Sequence, residues 1–116
     1  MRLLIVDDSK VSRLMLRAIV EDNLPDTQIF EASDGVEALD QLSQNDAIDM
    51  AIVDYNMPGM NGLELWQKIK DQVPHGALLT ANIQPHIRAE AESLGATFLN
   101  KPVSEETVKP FITSSL

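Results

Sequence analysis

Cysteine is absent from the sequence, which excludes disulfide bonds, thiolate catalysis and cysteine-ligated zinc. Long apolar runs are absent near the N-terminus: residues 3–6 are apolar but stop at two carboxylates, too short a run for a signal peptide or a membrane span. We therefore expect a cytoplasmic protein with no membrane segment. Basic residues are few, 9 against 18 acidic ones, and the net charge of −9 opposes direct binding to nucleic acid.

The remaining composition is that of an ordinary globular domain. Hydrophobic residues make up 44% of the 116 residues, and no linker, internal repeat or low-complexity segment is evident. We expect one domain, residues 1–116, whose core needs neither disulfides nor a structural metal. A place within a longer regulator stays open.

Five short apolar runs have the length of β-strands: residues 3–6, 28–32, 50–53, 77–79 and 96–99. Because segments with helical spacing lie between them, we predict an α/β fold with a parallel sheet covered on both faces. The first, third and fourth runs are almost entirely apolar, whereas the second and fifth contain polar residues and fit half-exposed edges. This favours a doubly wound, flavodoxin-like sheet of five strands in the order 2-1-3-4-5.

Each predicted helix has an apolar stripe. In the first helix the stripe is Val11, Leu14, Met15, Ala18 and Ile19, and the opposite face carries Lys10, Arg13, Arg17 and Glu21. The later stripes are Val36, Leu39 and Leu42; Leu63, Trp66 and Ile69; Ile83, Ile87 and Leu94; and Val108, Phe111 and Ile112. Ser33 and Ser104 are candidate caps, Pro85 fits a first turn, and Pro110 should kink or shorten the fifth helix.

Polar residues follow four of the predicted strands, at the ends that meet along one edge of a parallel sheet. They are Asp7 and Asp8, then Asp54, Thr80 and Lys101. Three neighbouring carboxylates raise one another's pKa unless a cation neutralises them. With oxygen ligands and no cysteine or histidine nearby, Mg²⁺ is favoured, and Mn²⁺ could replace it.

A lysine and a hydroxyl beside such a cation suit a phosphoryl group. The first strand is not followed by a glycine-rich phosphate loop, so a nucleotide or flavin cradle is disfavoured and covalent attachment to the protein is favoured. Singly, each residue has an ordinary explanation: Asp8 or Ser9 could cap the first helix, and a Lys-Pro pair often marks a turn. Their joint placement favours a site.

With these residues, the chain resembles the receiver domain of two-component response regulators, which include the single-domain chemotaxis regulators. The resemblance covers nearly the whole chain. Its carriers are Asp7-Asp8, Asp54 with the loop from Met57 to Gly62, Thr80-Ala81 and Lys101-Pro102.

The resemblance implies that Asp54 is phosphorylated by a phosphohistidine on a histidine kinase or phosphotransfer protein. It implies that Asp8, Asp54 and the Asn56 carbonyl ligate Mg²⁺ directly, and that Asp7 acts largely through water. Thr80 and Lys101 would hold the phosphoryl oxygens as catalytic partners of Asp54.

The resemblance also implies a switch. Phe98 takes the place of the family's switch aromatic, which turns inward when Thr80 moves toward the phosphate, and the bond before Pro102 is expected to be cis. A downstream protein would then read the surface of the fourth helix, fifth strand and fifth helix. Pro110, and Asn61 in place of a common acidic residue, depart from the pattern and leave that output surface open.

Two other functions stay open. One is an aspartyl-phosphate hydrolase of the haloacid-dehalogenase type, which also uses a carboxylate nucleophile with Mg²⁺ but carries it after the first strand. The other is a phosphate-independent pseudo-receiver that only binds a partner. We favour a signalling domain that phosphorylates and dephosphorylates itself and turns over no external substrate.

Overall fold

The fold is taken from a computed structural model that describes residues 1–45, 47–81 and 84–114. Strands and helices alternate along the chain. The strands are β1 (Arg2–Val6), β2 (Gln28–Ala32), β3 (Met50–Asp54), β4 (His75–Thr80) and β5 (Ala96–Asn100). The helices are α1 (Lys10–Asn23), α2 (Gly35–Gln44), α3 (Gly62–Ile69), α4 (Pro85–Ser93) and α5 (Glu105–Ser114).

The five strands form one parallel sheet in the order β2-β1-β3-β4-β5, which confirms the predicted α/β class and strand order. Each predicted run lies within its strand, and β4 extends furthest beyond the prediction, by two residues at its start and one at its end. The central strand β3 is buried at all five positions, whereas the edge strands β2 and β5 are partly exposed. Burial on both faces explains the continuous apolar runs of the inner strands.

Alternate residues of each strand face two separate cores. One core lies under α1 and α5, where Leu3, Ile5 and Ile52 meet the helices. The other lies under α2, α3 and α4, where Leu4 and Val53 point. All five helices therefore pack on the sheet, with two on one face and three on the other.

Trp66 fastens α3 to the sheet. Its ring lies against β4 at Gly76, where a Cβ atom would clash with the indole, and its ring N–H donates to the Leu94 carbonyl at 2.8 Å. The predicted stripe of Leu63, Trp66 and Ile69 is buried, as are Val108, Phe111 and Ile112 of α5. In α4, Ile87 is buried and Leu94 packs against the core, while Ile83 lies outside the described residues.

The predicted buried face of α1 is wrong. Leu16 and Val20 are buried against the sheet, while Val11, Leu14 and Met15 are 66%, 55% and 44% exposed. Both faces of this helix carry apolar residues at helical spacing, so periodicity found a stripe but could not tell which one packs inward. Of the predicted stripe, Ile19 packs against the core, whereas Val11, Leu14 and Met15 form an exposed apolar surface.

Two other details of the helices differ from prediction. Asp34, rather than Ser33, caps α2 by accepting the Glu37 N–H at 2.8 Å, and Val36 is exposed. Pro110 does not shorten α5, which continues to Ser114 because Phe111 and Ile112 are held in the core. A proline removes one helical hydrogen bond, a loss that tertiary packing outweighs here. The Ser104 cap and the first-turn position of Pro85 are confirmed.

Candidate functional site

Three carboxylates meet at the carboxyl edge of the sheet. Asp7 follows β1 and is fully buried, Asp54 ends β3 and is 2% exposed, and Asp8 is exposed. One oxygen from each of the three lies within 4.8 Å of the others. The prediction that these strand ends converge is therefore correct, and the grouping is close enough to share one cation.

The turn after β1 holds the first two carboxylates in place. The Asp7 N–H donates to the Ala32 carbonyl at the end of β2, at 3.1 Å, so the parallel ladder continues into the turn. The Asp7 carboxylate accepts the Ser9 N–H at 2.9 Å. Ser9 in turn caps α1 by accepting the Ser12 N–H at 3.3 Å. Because Ser9 provides the cap, the Asp8 carboxylate is not used for that purpose.

A close approach between β3 and α3 shapes the other side of the pocket. The Tyr55 N–H donates to the Leu79 carbonyl, and the Gly62 N–H donates to the Tyr55 carbonyl, both at 2.9 Å. A Cβ atom at Gly62 would overlap the Asp54 carbonyl, so only glycine allows α3 to begin this close to Asp54. The exposed Asn56 lies two residues after Asp54 at the same edge.

Lys101 reaches the carboxylates from the end of β5. Its ammonium lies 3.0 Å from Asp54 Oδ1 and 4.0 Å from Asp7 Oδ2. Its backbone N–H donates to the carbonyl of Thr80, which is buried at the end of β4. The Lys101-Pro102 peptide bond is cis, as predicted. The two ionic contacts with Asp54 and Asp7 show that the lysine points into the pocket.

Burial in the pocket makes the ionised forms of Asp7 and Asp54 less favourable. Burial raises the pKa of Asp54 to about 6 and outweighs the opposing effect of Lys101, while the charges of Asp7 and Asp8 raise it further. Burial also raises the pKa of Asp7, against the opposing effects of the Ser9 hydrogen bond and the Lys101 charge. A single ammonium therefore leaves the three carboxylates under-neutralised.

The donor set fits a divalent cation. Asp7 Oδ2 and Asp54 Oδ1 are buried, and within the described part of the chain neither accepts a hydrogen bond of good geometry. Within the described ranges, Asp54 Oδ1 is in ionic contact with Lys101 at 3.0 Å. Buried carboxylate oxygens are normally satisfied, so two such atoms facing a third carboxylate indicate room for a hard cation with oxygen ligands.

Phe98 and Arg13 lie on β5 and α1, respectively. Phe98 is half-buried on β5, and the Arg88 guanidinium of α4 lies 5.6 Å from the centre of its ring. Arg13, which sequence reasoning placed on the outer face of α1, is instead partly buried and donates to the Asp7 carbonyl at 2.6 Å. Helical side chains lean toward the N-terminus, so an arginine four residues after the Ser9 cap could have been expected to reach this turn.

Fold and pocket together define a doubly wound α/β protein with an acidic, metal-competent site and an inward lysine at the carboxyl edge of its sheet. The chain belongs to the response regulator receiver domain family, whose sequence profile matches residues 3–113.

Individual relatives agree with this family. A chemotaxis protein CheY homolog of Campylobacter jejuni (strain 81-176) is 36% identical over 114 residues, which are 96% of this chain and 82% of the relative. The sensor protein EvgS of Escherichia coli K12 is also 36% identical over 114 residues, but the match spans 9% of that longer protein. The crystal structure of Vibrio cholerae chemotaxis protein CheY4 superposes with a TM-score of 0.85 at 31% identity, covering 99% of this chain and 98% of CheY4.

The chain is thus a receiver domain similar to those of CheY-type response regulators, consistent with two-component signalling. Its acidic group of Asp7, Asp8 and Asp54 could bind a divalent metal. Within the described ranges, none of the helices has the length and apolar character needed to cross a bilayer.

Proposed function

We propose that this domain, residues 1–116, is a Mg²⁺-dependent phosphoacceptor that receives a phosphoryl group on Asp54 from a phosphohistidine of a histidine kinase or phosphotransfer protein. The observation that carries the proposal is the Lys101 ammonium, 3.0 Å from Asp54 within a pocket of three carboxylates. Asp54 is buried and lies nearer to the lysine than the other buried carboxylate, Asp7, at 3.0 Å against 4.0 Å.

The reaction needs one bond to form and one to break. An Asp54 oxygen forms a bond to phosphorus, while the bond from phosphorus to the histidine nitrogen breaks and its electron pair returns to the imidazole. Charge spreads over the three equatorial phosphoryl oxygens in such transfers, so positioned cations and hydrogen-bond donors supply most of the catalysis. Lys101 is placed to stabilise this charge, and the Thr80 hydroxyl would donate to one of the oxygens.

The residues that would hold the metal are Asp8, Asp54 and the Asn56 carbonyl, with Asp7 acting through water. When bound, Mg²⁺ (or Mn²⁺) supplies charge neutralisation for the carboxylates and the incoming phosphoryl oxygens. The buried Asp7 Oδ2 and Asp54 Oδ1 support this ligand set, since both are close to the Lys101 ammonium but accept no hydrogen bond of good geometry within the described residues, and a divalent cation or its water shell would satisfy both.

The outer stripe of α1 suits the docking of the phosphodonor protein. Val11, Leu14 and Met15 are exposed apolar side chains, and α1 begins two residues after Asp8. A contiguous apolar surface beside a reactive group is typical of a protein-binding face. We therefore place the donor on this stripe, where it can present its phosphohistidine to Asp54.

The output of the reaction is a change of shape read by a downstream protein at α4, β5 and α5. Phosphorylation would favour the conformer in which Thr80 and Lys101 close around the phosphoryl group and Phe98 turns inward. Phe98 is half-exposed in the present conformer and carries the Arg88 guanidinium over its ring. Inward rotation would break that contact and change the surface between α4 and β5.

Incubation with Mg²⁺ and a small acyl phosphate tests the chemistry. Intact mass spectrometry should show one added phosphoryl group in the wild-type protein and none in Asp54→Asn. Label that persists in the variant would refute the assignment of Asp54. Absence of label and of Mg²⁺ binding in the wild type would favour a pseudo-receiver, and sustained hydrolysis of a phosphate ester would favour a hydrolase of the haloacid-dehalogenase type.

A further inference from the structure

Arg13 contacts the turn that carries the first two carboxylates. Its Nη1 donates to the Asp7 carbonyl at 2.6 Å, and its Nε donates to Glu31 Oε1 at 3.1 Å. The Arg13 side chain is only 17% exposed although it lies on a helix at the surface. Arg13 thus joins α1, the β1–α1 turn and β2.

These contacts close a ring around the Asp7 residue. The Asp7 N–H is held by the Ala32 carbonyl, and the Asp7 carbonyl is held by Arg13. Arg13 is in turn held by Glu31, the residue that precedes Ala32. Both sides of the Asp7 backbone are therefore tied to the end of β2, and the peptide unit between Asp7 and Asp8 is fixed in direction.

Glu31 is itself held in place by a second arginine. Its Oε2 accepts Arg17 Nη1 at 2.8 Å, so each carboxylate oxygen has its own guanidinium partner. No contact between Arg17 and the Asp7-Asp8 turn is found within the described residues, and its other ionic partner is Glu21, at 3.6 Å. Arg17 therefore shares the anchor of Arg13 but not its contact with the turn.

From this ring we infer that Arg13 is a positioning residue for the cation site: by fixing the peptide between Asp7 and Asp8, it holds the two carboxylates in the arrangement that binds Mg²⁺. The inference rests on the proposed function, since it concerns the same site. Groups that orient metal ligands typically change metal affinity by about 10- to 100-fold when they are removed.

Electrostatics and positioning predict opposite results for loss of this arginine. Removal of a positive charge near a cation site should tighten Mg²⁺ binding, because one repulsive interaction disappears. Loss of the positioning contact should weaken binding, because Asp7 and Asp8 must then be ordered at the moment of binding. The sign of the change in affinity therefore separates the two effects.

The experiment measures Mg²⁺ dissociation constants by calorimetry for wild-type protein, Arg13→Gln and the matched control Arg17→Gln. We expect about a tenfold weaker constant for Arg13→Gln, and a constant within about twofold of wild type for Arg17→Gln. At saturating Mg²⁺, the rate of phosphorylation by a small acyl phosphate should stay within about threefold of wild type in Arg13→Gln, because Asp54 and Lys101 are not held by Arg13.

Arg13→Lys keeps the charge but cannot span the Asp7 carbonyl and Glu31 together, so its Mg²⁺ affinity should lie between those of wild type and Arg13→Gln. If Arg13→Gln does not fold, Arg13→Lys carries the test. Mg²⁺ binding as tight as wild type or tighter, in whichever of the two variants is folded, would overturn the inference. An equal weakening in Arg17→Gln would also overturn it, whereas a wild-type protein that binds no Mg²⁺ would overturn the proposed function first.

Discussion

The burial of Asp54 predicts that its replacement by asparagine stabilises the metal-free protein. Asparagine has nearly the shape of a protonated aspartate and carries no charge. In the wild-type fold the pKa of Asp54 is raised from 3.8 to about 6, mainly by burial. The ionised side chain is therefore less stable in the folded protein than in the unfolded chain.

The magnitude follows from the shift of about two pKa units, each equivalent to about 1.4 kcal/mol. The full shift would correspond to about 3 kcal/mol, and relaxation around the charge reduces this. We therefore expect Asp54→Asn to raise the free energy of unfolding by about 2 kcal/mol at about pH 8 without Mg²⁺.

The pH dependence of the free energy of unfolding shows whether ionised Asp54 stabilises or destabilises the fold. Between pH 3.8 and about 6 the folded wild-type protein keeps a proton on Asp54 that the unfolded chain releases. The folded state binds more protons in this window, so wild-type stability falls as pH rises through it, and the full penalty is present above the folded pKa. The gain from Asp54→Asn should thus be close to zero below about pH 4 and largest above about pH 6.

Urea unfolding in the presence of EDTA, followed by the fluorescence of the buried Trp66, measures this difference. Asp40→Asn is a suitable control because Asp40 is an exposed carboxylate on α2, where the expected change is within about 0.5 kcal/mol. A variant Asp54→Asn that is no more stable than wild type at about pH 8, or that shows the same gain at about pH 4, would refute the reasoning.

Three further predictions follow from the site and its surroundings. Lys101→Met should slow phosphorylation by a small acyl phosphate by about 100-fold or more, since the transferred charge loses its ammonium; a stopped-flow rate close to wild type would contradict this role. Leu14→Glu on the outer stripe of α1 should slow phosphorylation by the protein donor but leave the rate of phosphorylation by acyl phosphate unchanged. The control is Lys68→Glu on α3, which lies outside this stripe. Equal effects of Leu14→Glu on the rates with both donors would count against the docking face. Gly62→Ala should lower the free energy of unfolding by about 2 kcal/mol in urea, because its Cβ overlaps the Asp54 carbonyl, and an unchanged midpoint would show that α3 can move away.

Much of the fold was predictable because its signals are local. The continuous apolar runs of β1 and β3 follow from burial on both faces of a parallel sheet, and the polar residues in β2 and β5 follow from their positions at the edges. The site was predictable from the same topology, because parallel strands place their carboxyl ends together and so bring Asp7, Asp8 and Asp54 within reach of Lys101.

The predictions for α1 and α5 were wrong because the local sequence pattern of each helix was compatible with more than one packed arrangement. The exposed Leu14 and Met15 repeat as regularly as the buried Leu16 and Val20, so spacing alone could not orient α1. Pro110 is unfavourable in a helix by its own chemistry, yet the burial of Phe111 and Ile112 carries α5 past it.

The amino-acid sequence by itself determined the order of strands and helices, the edge at which the acidic residues gather and the lysine that faces them, because these depend on residue type, periodicity and chain direction. The tertiary structure alone decided which face of α1 packs inward and that Arg13 turns back to hold the Asp7 carbonyl beside Glu31. The physical reason is that packing and ion pairing depend on residues that are distant in the chain. These residues come into contact only when the sheet has formed, so the sequence pattern near each of them does not show which contact is more stable.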